Sequence, residues 1–238
     1  MRPKLPIQAL AFLSLAALAV PAQAHFLWVV VGDQAPKAQL VLTENPGEVT
    51  VAELIPKIAA KAWDAAGQPV VFQKQEKTWA ADAPAAVAAK QSWGLMDHGG
   101  KPFMIEYYAK GGATPEATEV SLKLAYELFA RQEGGEVVAW LMQDGKPVAE
   151  TAVNLHLPGG GKSVELKTDA KGEVRFKPEF GGHYGLRAKF VEARSGESDG
   201  KSYDEVRHYT TLAFTLPGPP APAAPAAEPH AGGHKGSH

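Results

Sequence analysis

AVNLHLPGGGKSVELKTDAKGEVRFK, residues 152–177, is the stretch that decides the fold. It contains three short segments, Ala152–Leu157, Val164–Lys167 and Glu173–Lys177, in which apolar and polar residues tend to alternate. A Gly-Gly-Gly loop and an Asp-Ala-Lys-Gly turn separate them. Alternation at a period of two between glycine-rich turns is typical of antiparallel strands. The stretch therefore predicts a meander of short β-strands.

The same pattern continues on both sides of this stretch. Further strands are expected at 137–142, 186–192 and 208–216, so strands recur about every ten residues, as in an antiparallel β-sandwich. We therefore predict a C-terminal β-sandwich domain over residues 120–216.

The first part of the expected mature chain also favours strands. His25–Val31 is apolar and β-branched, and Phe103–Tyr108 follows a glycine-rich turn, which predicts an N-terminal β-rich domain over residues 25–112. The stretch GGATPEATE at 111–119 breaks the pattern and marks the expected boundary between the domains. The alanine-rich segment Asp82–Lys90 is compatible with a helix or a loop. The fold class expected is all-β, with two β-sandwich domains.

Residues 1–24 have the three parts of a secretory signal peptide: a positive start, an apolar core at 9–20 and the cleavage signal Ala-Gln-Ala. We expect cleavage after Ala24 and a periplasmic or secreted protein. The apolar core is too short to span a membrane, and no later run reaches the length of about 20 residues that a transmembrane helix needs. A transmembrane segment is therefore not expected after the signal is removed.

Cleavage after Ala24 would leave His25 with a free α-amine beside its imidazole. These two nitrogens can chelate one ion, and such a donor set suits Cu(II) or Ni(II). The chain has no cysteine, so any metal would be held by histidine, carboxylate, backbone or amine groups. The alternative is that His25 is simply the residue where the cut falls.

His208 is the first candidate for a second ligand. On the last strand, Asp204 and His208 would share one face, where a carboxylate can orient a histidine ring or bind the same ion. The alternative is a surface ladder of ion pairs that includes Glu205 and Arg207.

Two further histidines are weaker candidates for metal ligands. His98 and His183 both lie in glycine-flanked turns, where a backbone can approach a ligand closely. Alternation along the strand directs Tyr184 into the core and leaves His183 outward. His156 is expected to face solvent, because it lies on the strand face opposite its apolar neighbours.

The C-terminal segment 217–238 is rich in Pro, Ala and Gly and lacks apolar periodicity, which predicts a disordered tail. It carries His230, His234 and His238, spaced four residues apart. A short histidine-bearing segment can collect metal ions at low affinity, since its ordering costs backbone entropy.

Other functional classes have little support in the sequence. The formal net charge is −2 and there is no basic stripe, so nucleic-acid binding is not expected. No phosphate-binding loop, G-x-S-x-G or H-E-x-x-H motif occurs, so hydrolytic chemistry has no positive indication. A copper oxidase of the histidine-brace kind, or an adhesion or carbohydrate-binding module without metal, remains an alternative.

Four motifs together resemble one known family. AHFLWVV, HGGKPFMIEYYAK, TDAKGEVRFKP and SGESDGKSYDEVRHYTTLAF are similar, in this order, to the domain-of-unknown-function 4198 family. Its members are exported proteins associated with nickel or cobalt uptake. The resemblance implies an Ig-like or transthyretin-like C-terminal sandwich, similar to carboxypeptidase-regulatory domains, and a mature N-terminal His25.

These observations lead to one functional expectation. The protein would bind Ni, Co or Cu ions in the periplasm for uptake, buffering or delivery, with a membrane metal transporter as a possible partner. The expected ligands are His25, His208, His98 and His183, with the tail histidines as weak collectors. We do not expect an enzyme.

Overall fold

The computed structural model describes residues 25–32, 37–83, 85–97, 100–161 and 163–222. The described residues form 17 β-strands and two single-turn 3-10 helices, Ile55–Lys57 and Glu116–Thr118. The strands of the first half are β1 (Phe26–Val31), β2 (Lys37–Thr43), β3 (Lys61–Asp64), β4 (Gln73–Lys74), β5 (Trp79–Asp82), β6 (Ala86–Met96) and β7 (Phe103–Gly112). Those of the second half are β8 (Tyr126–Glu133), β9 (Glu136–Gln143), β10 (Lys146–Pro147), β11 (Ala152–His156), β12 (Val164–Lys167), β13 (Glu173–Phe176), β14 (Gly182–Glu192), β15 (Gly196–Ser198), β16 (Lys201–Tyr203) and β17 (Val206–Leu216).

A seven-stranded central sheet organises the molecule. Its strand order is β12-β11-β14-β17-β7-β6-β3, and every pairing is antiparallel except that of β17 with β7. This parallel pairing joins the last described strand to a strand of the N-terminal segment. The central sheet therefore takes strands from both sides of the boundary expected at 111–119.

Two smaller sheets cover the two faces of the central sheet. The N-terminal sheet, β1-β2-β5-β4, shares one core with Tyr107 and Ala109 of β7. The C-terminal sheet, built from β8, β9, β10 and β13, packs against Leu212 and Phe214 of β17. Because successive residues of a strand point to opposite faces, these cores lie on opposite sides of the central sheet. We call the side of Tyr107 the front face and the other the back face.

Strand β1 is buried along its whole length. All six side chains of Phe26–Val31 are buried, which explains why this segment has no polar residue. It crosses the front face so closely that a Cβ added to Gly111 of β7 would lie 2.1 Å from the carbonyl oxygen of Val29. Glycine at position 111 therefore permits the contact between the two sheets.

The alanine-rich segment is a strand and neither a helix nor a loop, so that expectation was wrong from Ala86 onward. Ala88 and Ala89 are both fully buried and point to opposite faces of β6. Ala89 packs in the front core and Ala88 in the back core beside Tyr108. A strand covered on both faces needs small side chains where its neighbours approach closely, and this requirement overrides the helix propensity of alanine.

A buried ion pair joins the central sheet to the C-terminal sheet. Lys110 of β7 has no exposed side-chain surface, and its ammonium lies 2.8 Å from a carboxylate oxygen of Glu127 on β8. The ammonium also donates to the carbonyl of Val120 and lies over the ring of Phe129. Burial lowers the pKa of Lys110 to about 8, against the opposing effect of Glu127.

The expectation of an all-β fold with sandwich-like packing is confirmed. No helix among the described residues is long and apolar enough to cross a membrane. The expected signal peptide, His98 and the tail from residue 223 onward lie outside the described residues.

Candidate functional site

The start of β1 lies on a group of aromatic side chains at the front face. The hydroxyl of Tyr107 donates a hydrogen bond to the carbonyl oxygen of His25 at 3.0 Å. The rings of Tyr107 and Tyr209 lie 5.9 Å apart, and the ring of Phe26 lies 5.2 Å from that of Tyr209. We call His25, Phe26, Tyr107, Tyr209 and the adjoining Arg187 the His25 cluster.

Tyr107 holds the backbone of residue 25 through this hydrogen bond. Its side chain is buried, and burial raises its pKa far above the usual value for a phenol. The hydroxyl is therefore protonated at neutral pH and can donate to the His25 carbonyl. The carbonyl of residue 25 is thus fixed at one point, while the residue itself is half-buried.

Arg187 brings a positive charge to the cluster without an acidic partner at close range. Its guanidinium carbon lies 4.0 Å from the ring centroid of Phe26, as in a cation–π contact. Within the described part of the chain, no carboxylate lies within 4.0 Å of it, and its Nε is buried without a hydrogen-bond partner. Burial lowers the pKa of Arg187, and the neighbouring Tyr209 and Glu44 oppose this effect.

His25 and His208 are not brought together. Tyr108 follows Tyr107 on β7 and points to the back face, where its hydroxyl lies 3.3 Å from Nδ1 of His208. The carbonyl of His25 is held by Tyr107 on the front face. The central sheet therefore separates the two histidines.

The ring of His208 is fully engaged on the back face. Its Nε2 lies 2.9 Å from a carboxylate oxygen of Glu192, and its ring lies 4.9 Å from that of Tyr126. The carboxylate expected to orient the ring, Asp204, instead forms an ion pair with Lys101 at 2.8 Å. The expected role of Asp204 was therefore wrong, because Glu192 reaches His208 from the neighbouring strand β14.

The alternative expectation for the start of β17, a surface ladder of ion pairs, is partly correct. Arg207 and Glu205 form an ion pair, and the guanidinium of Arg207 lies over the ring of Phe103. His208 itself is buried, with 4% of its surface exposed, and so is not part of a surface ladder.

His156 is buried and does not face solvent, so that expectation was wrong. It lies on the front side of β11, as the alternation indicated, but the N-terminal sheet covers this side and only 2% of the residue is exposed. Its ring meets Trp28 of β1 edge-on, with centroids 5.3 Å apart. Alternation along one strand cannot reveal that a second sheet covers the polar side.

The hydrogen bonds of His156 define its tautomer. Asn45 donates through its side-chain nitrogen to Glu48, so its side-chain oxygen faces His156 and accepts from Nδ1 at 2.7 Å. Nδ1 therefore carries the proton, and Nε2 is a buried acceptor without a partner in the described chain. Burial, assisted by the charge of Arg187, lowers the pKa of His156 to about 4.

The other expected ligands either lie away from the His25 cluster or belong to residues that the structure does not describe. His183 lies at the beginning of β14 and its Nδ1 is 3.0 Å from the hydroxyl oxygen of Thr215. Tyr184 points into the back core, as expected. His98 and the tail histidines lie outside the described residues.

No described residues form a group of three or more histidines and carboxylates able to hold a metal ion. Sequence reasoning missed Arg187 and the role of Tyr107. In the sequence, Arg187 alternates with apolar residues in LRAKF, residues 186–190. This pattern indicates a polar strand face, but it does not indicate that Arg187 contacts Phe26.

Comparison of the chain with models of known protein families gives no match, and comparison with curated proteins gives none either. The family resemblance therefore stays a prediction.

Proposed function

We propose that this is an exported protein that binds a divalent transition-metal ion through the α-amine and imidazole of His25. The proposal includes cleavage after Ala24, which creates the amine. An amine and an imidazole on one residue form a chelate with nitrogen donors that suit Cu(II), Ni(II) and Co(II). The ion is cargo, taken up, buffered or passed to a membrane transporter.

The observation that supports this proposal most is the attachment of residue 25 to the fold. The buried strand begins at Phe26, so a chain that starts at His25 retains every described strand. The bond from Tyr107 holds the His25 carbonyl, and a fixed backbone reduces the entropy lost when the amine and ring close on an ion.

The order of affinities follows from the donor set. For nitrogen ligands the divalent ions bind in the order Co(II), Ni(II), Cu(II), with Zn(II) weaker than Cu(II). We expect the His25 chelate to follow this order and to bind one ion. The tail histidines His230, His234 and His238 would add weaker, independent binding.

Titration of a chain that begins at His25 tests the proposal. To remove tail binding, the chain is ended at residue 222, and the fluorescence of the Trp residues follows addition of Cu(II), Ni(II), Co(II) and Zn(II). A matched form has the α-amine of His25 acetylated, which removes the amine as a donor and keeps the imidazole. We expect tight binding of one Cu(II) ion to the first form and a loss of at least tenfold in affinity in the second.

A second variant, Tyr107→Phe, removes the hydrogen bond to the His25 carbonyl and keeps the ring. Loss of a group that orients a metal ligand commonly weakens binding by about 10-fold to 100-fold, and we expect the lower end because the contact is to the backbone. Equal Cu(II) affinity in the first form and the acetylated form would refute the His25 chelate.

A copper oxidase of the histidine-brace kind needs a second imidazole beside His25. Neither of the described histidines His208 and His156 supplies one, since His208 lies across the central sheet and His156 is buried against Asn45 and Trp28. A binding module without metal is the outcome that remains if no ion binds in the titration.

A further inference from the structure

Two cationic side chains, Arg187 and Lys189, lie on the front face near the start of β1. On β14, Leu186 and Ala188 point into the back core. Arg187 and Lys189 alternate with them along the strand and therefore point to the front face. Lys189 is exposed and is the cross-strand partner of Tyr209. The front face therefore presents two cations and a phenol beside the first strand.

Two other cations near this end of the central sheet are already paired. Arg207 is held by Glu205, and Lys101 is held by Asp204. In contrast, neither Arg187 nor Lys189 forms an ion pair with any described residue. The nearest acidic influence on Arg187 comes from Glu44, which is exposed and lies beyond 4.0 Å.

The guanidinium of Arg187 also has a buried donor, Nε, without a hydrogen-bond partner among the described residues. An arginine offers five N–H donors, and this residue is half-buried. Phe26 supports one face of its plane but accepts no conventional hydrogen bond. A partly desolvated cation with a buried, unpaired donor is a favourable partner for an oxyanion.

We propose that Arg187 and Lys189 form a binding site for a small dicarboxylate or tricarboxylate, with Tyr209 at its edge. The planar guanidinium of Arg187 accepts one carboxylate in the paired geometry that this group favours. Lys189 lies two residues along the strand, about 7 Å away along the backbone, and contacts a second carboxylate. The site does not depend on metal binding at His25.

Calorimetric titration of the metal-free protein with sodium succinate, at constant ionic strength and pH 7, tests this site. Acetate serves as the single-carboxylate control, and inorganic phosphate tests for a general oxyanion site. We expect one succinate to bind, with acetate and phosphate each at least tenfold weaker. Absence of succinate binding, or phosphate binding as tight as that of succinate, would overturn the proposal.

Two variants locate the site, and one controls for general charge. Arg187→Gln is expected to weaken succinate binding by about 10-fold or more, because it removes a charge-assisted, paired hydrogen bond. Lys189→Gln changes an exposed residue, so it folds normally, and we expect a loss of about threefold to tenfold. Lys146→Gln, on the exposed strand β10, is expected to bind succinate like the unmodified protein. Equal loss in Lys146→Gln and Lys189→Gln would show that only net charge matters and would contradict the site.

Discussion

Acidification should weaken the fold through His156, and the size of the effect can be worked from its surroundings. The folded protein holds this ring neutral, with a pKa of about 4 compared with the ordinary value of 6.5. If the ring were protonated, its Nε2–H would be a buried donor without an acceptor, close to the positive charge of Arg187. Protonation therefore favours the unfolded chain.

The sign and the pH range follow from these two pKa values. Between pH 6.5 and pH 4 the unfolded chain binds a proton at His156 and the folded protein does not, so the free energy of unfolding falls as the pH is lowered. The stabilisation is fully present above pH 6.5 and its loss is complete below pH 4. At about 1.36 kcal/mol per pKa unit the total is about 3 kcal/mol, of which about 2.5 kcal/mol is lost between pH 7.5 and pH 4.5.

The variant His156→Asn isolates this contribution. Its side-chain nitrogen can replace Nδ1 as the donor to Asn45, but it does not titrate. Urea unfolding followed by tryptophan fluorescence at pH 7.5, 6.5, 5.5 and 4.5 gives the free energy of unfolding of both proteins. We expect the original protein to lose about 2.5 kcal/mol more than the variant over this range. Parallel loss in the two proteins would refute the buried neutral histidine, because all other titrating groups are the same in both.

Two further predictions concern the contacts between the sheets. Lys110→Met leaves the buried carboxylate of Glu127 without its cation, so we expect it to lower the free energy of unfolding in urea at pH 7 by about 3–5 kcal/mol. The double variant Lys110→Met/Glu127→Leu should recover part of this loss. A single variant as stable as the original protein would contradict the ion pair. Gly111→Ala places a methyl group against the carbonyl of Val29, and we expect it to lower the free energy of unfolding by about 3 kcal/mol. Gly47 has open space around it, so Gly47→Ala should change this free energy little. Equal stability of the two variants would contradict the close packing of β1.

The strands of the second half could be predicted because local pattern alone defines them. In Ala152–His156 and Glu173–Phe176, alternation and glycine turns coincide with the observed strands. The segment Ala86–Met96 could not be predicted in the same way, because its small residues are explained by the two sheets that cover it. A pattern within one strand carries no information about layers added by distant strands.

The partners of the polar side chains were not predictable for the same reason. His208 is held by Glu192, sixteen residues away, through the pairing of β14 with β17. His156 meets Asn45, which is 111 residues away, because β1 and β2 cover β11. By contrast, the prediction that Tyr184 enters the core needed only the alternation with Leu186, and it was correct. Side-chain direction follows from one strand, whereas side-chain partners follow from the topology.

The two faces of the central sheet differ in how their polar groups are satisfied, and this difference favours the front face as the place of function. On the back face, His208 uses both ring nitrogens and Lys110 has carboxylate and carbonyl partners, so these groups serve the fold. On the front face, Nε of Arg187 and Nε2 of His156 are buried without a hydrogen-bond partner among the described residues. Buried polar groups without partners are rare in folded proteins, and an ordered water, an ion or a ligand can complete their hydrogen bonding. Because Arg187 packs on Phe26, the residue after His25, the anion site and the metal site that we propose would share one part of the front face.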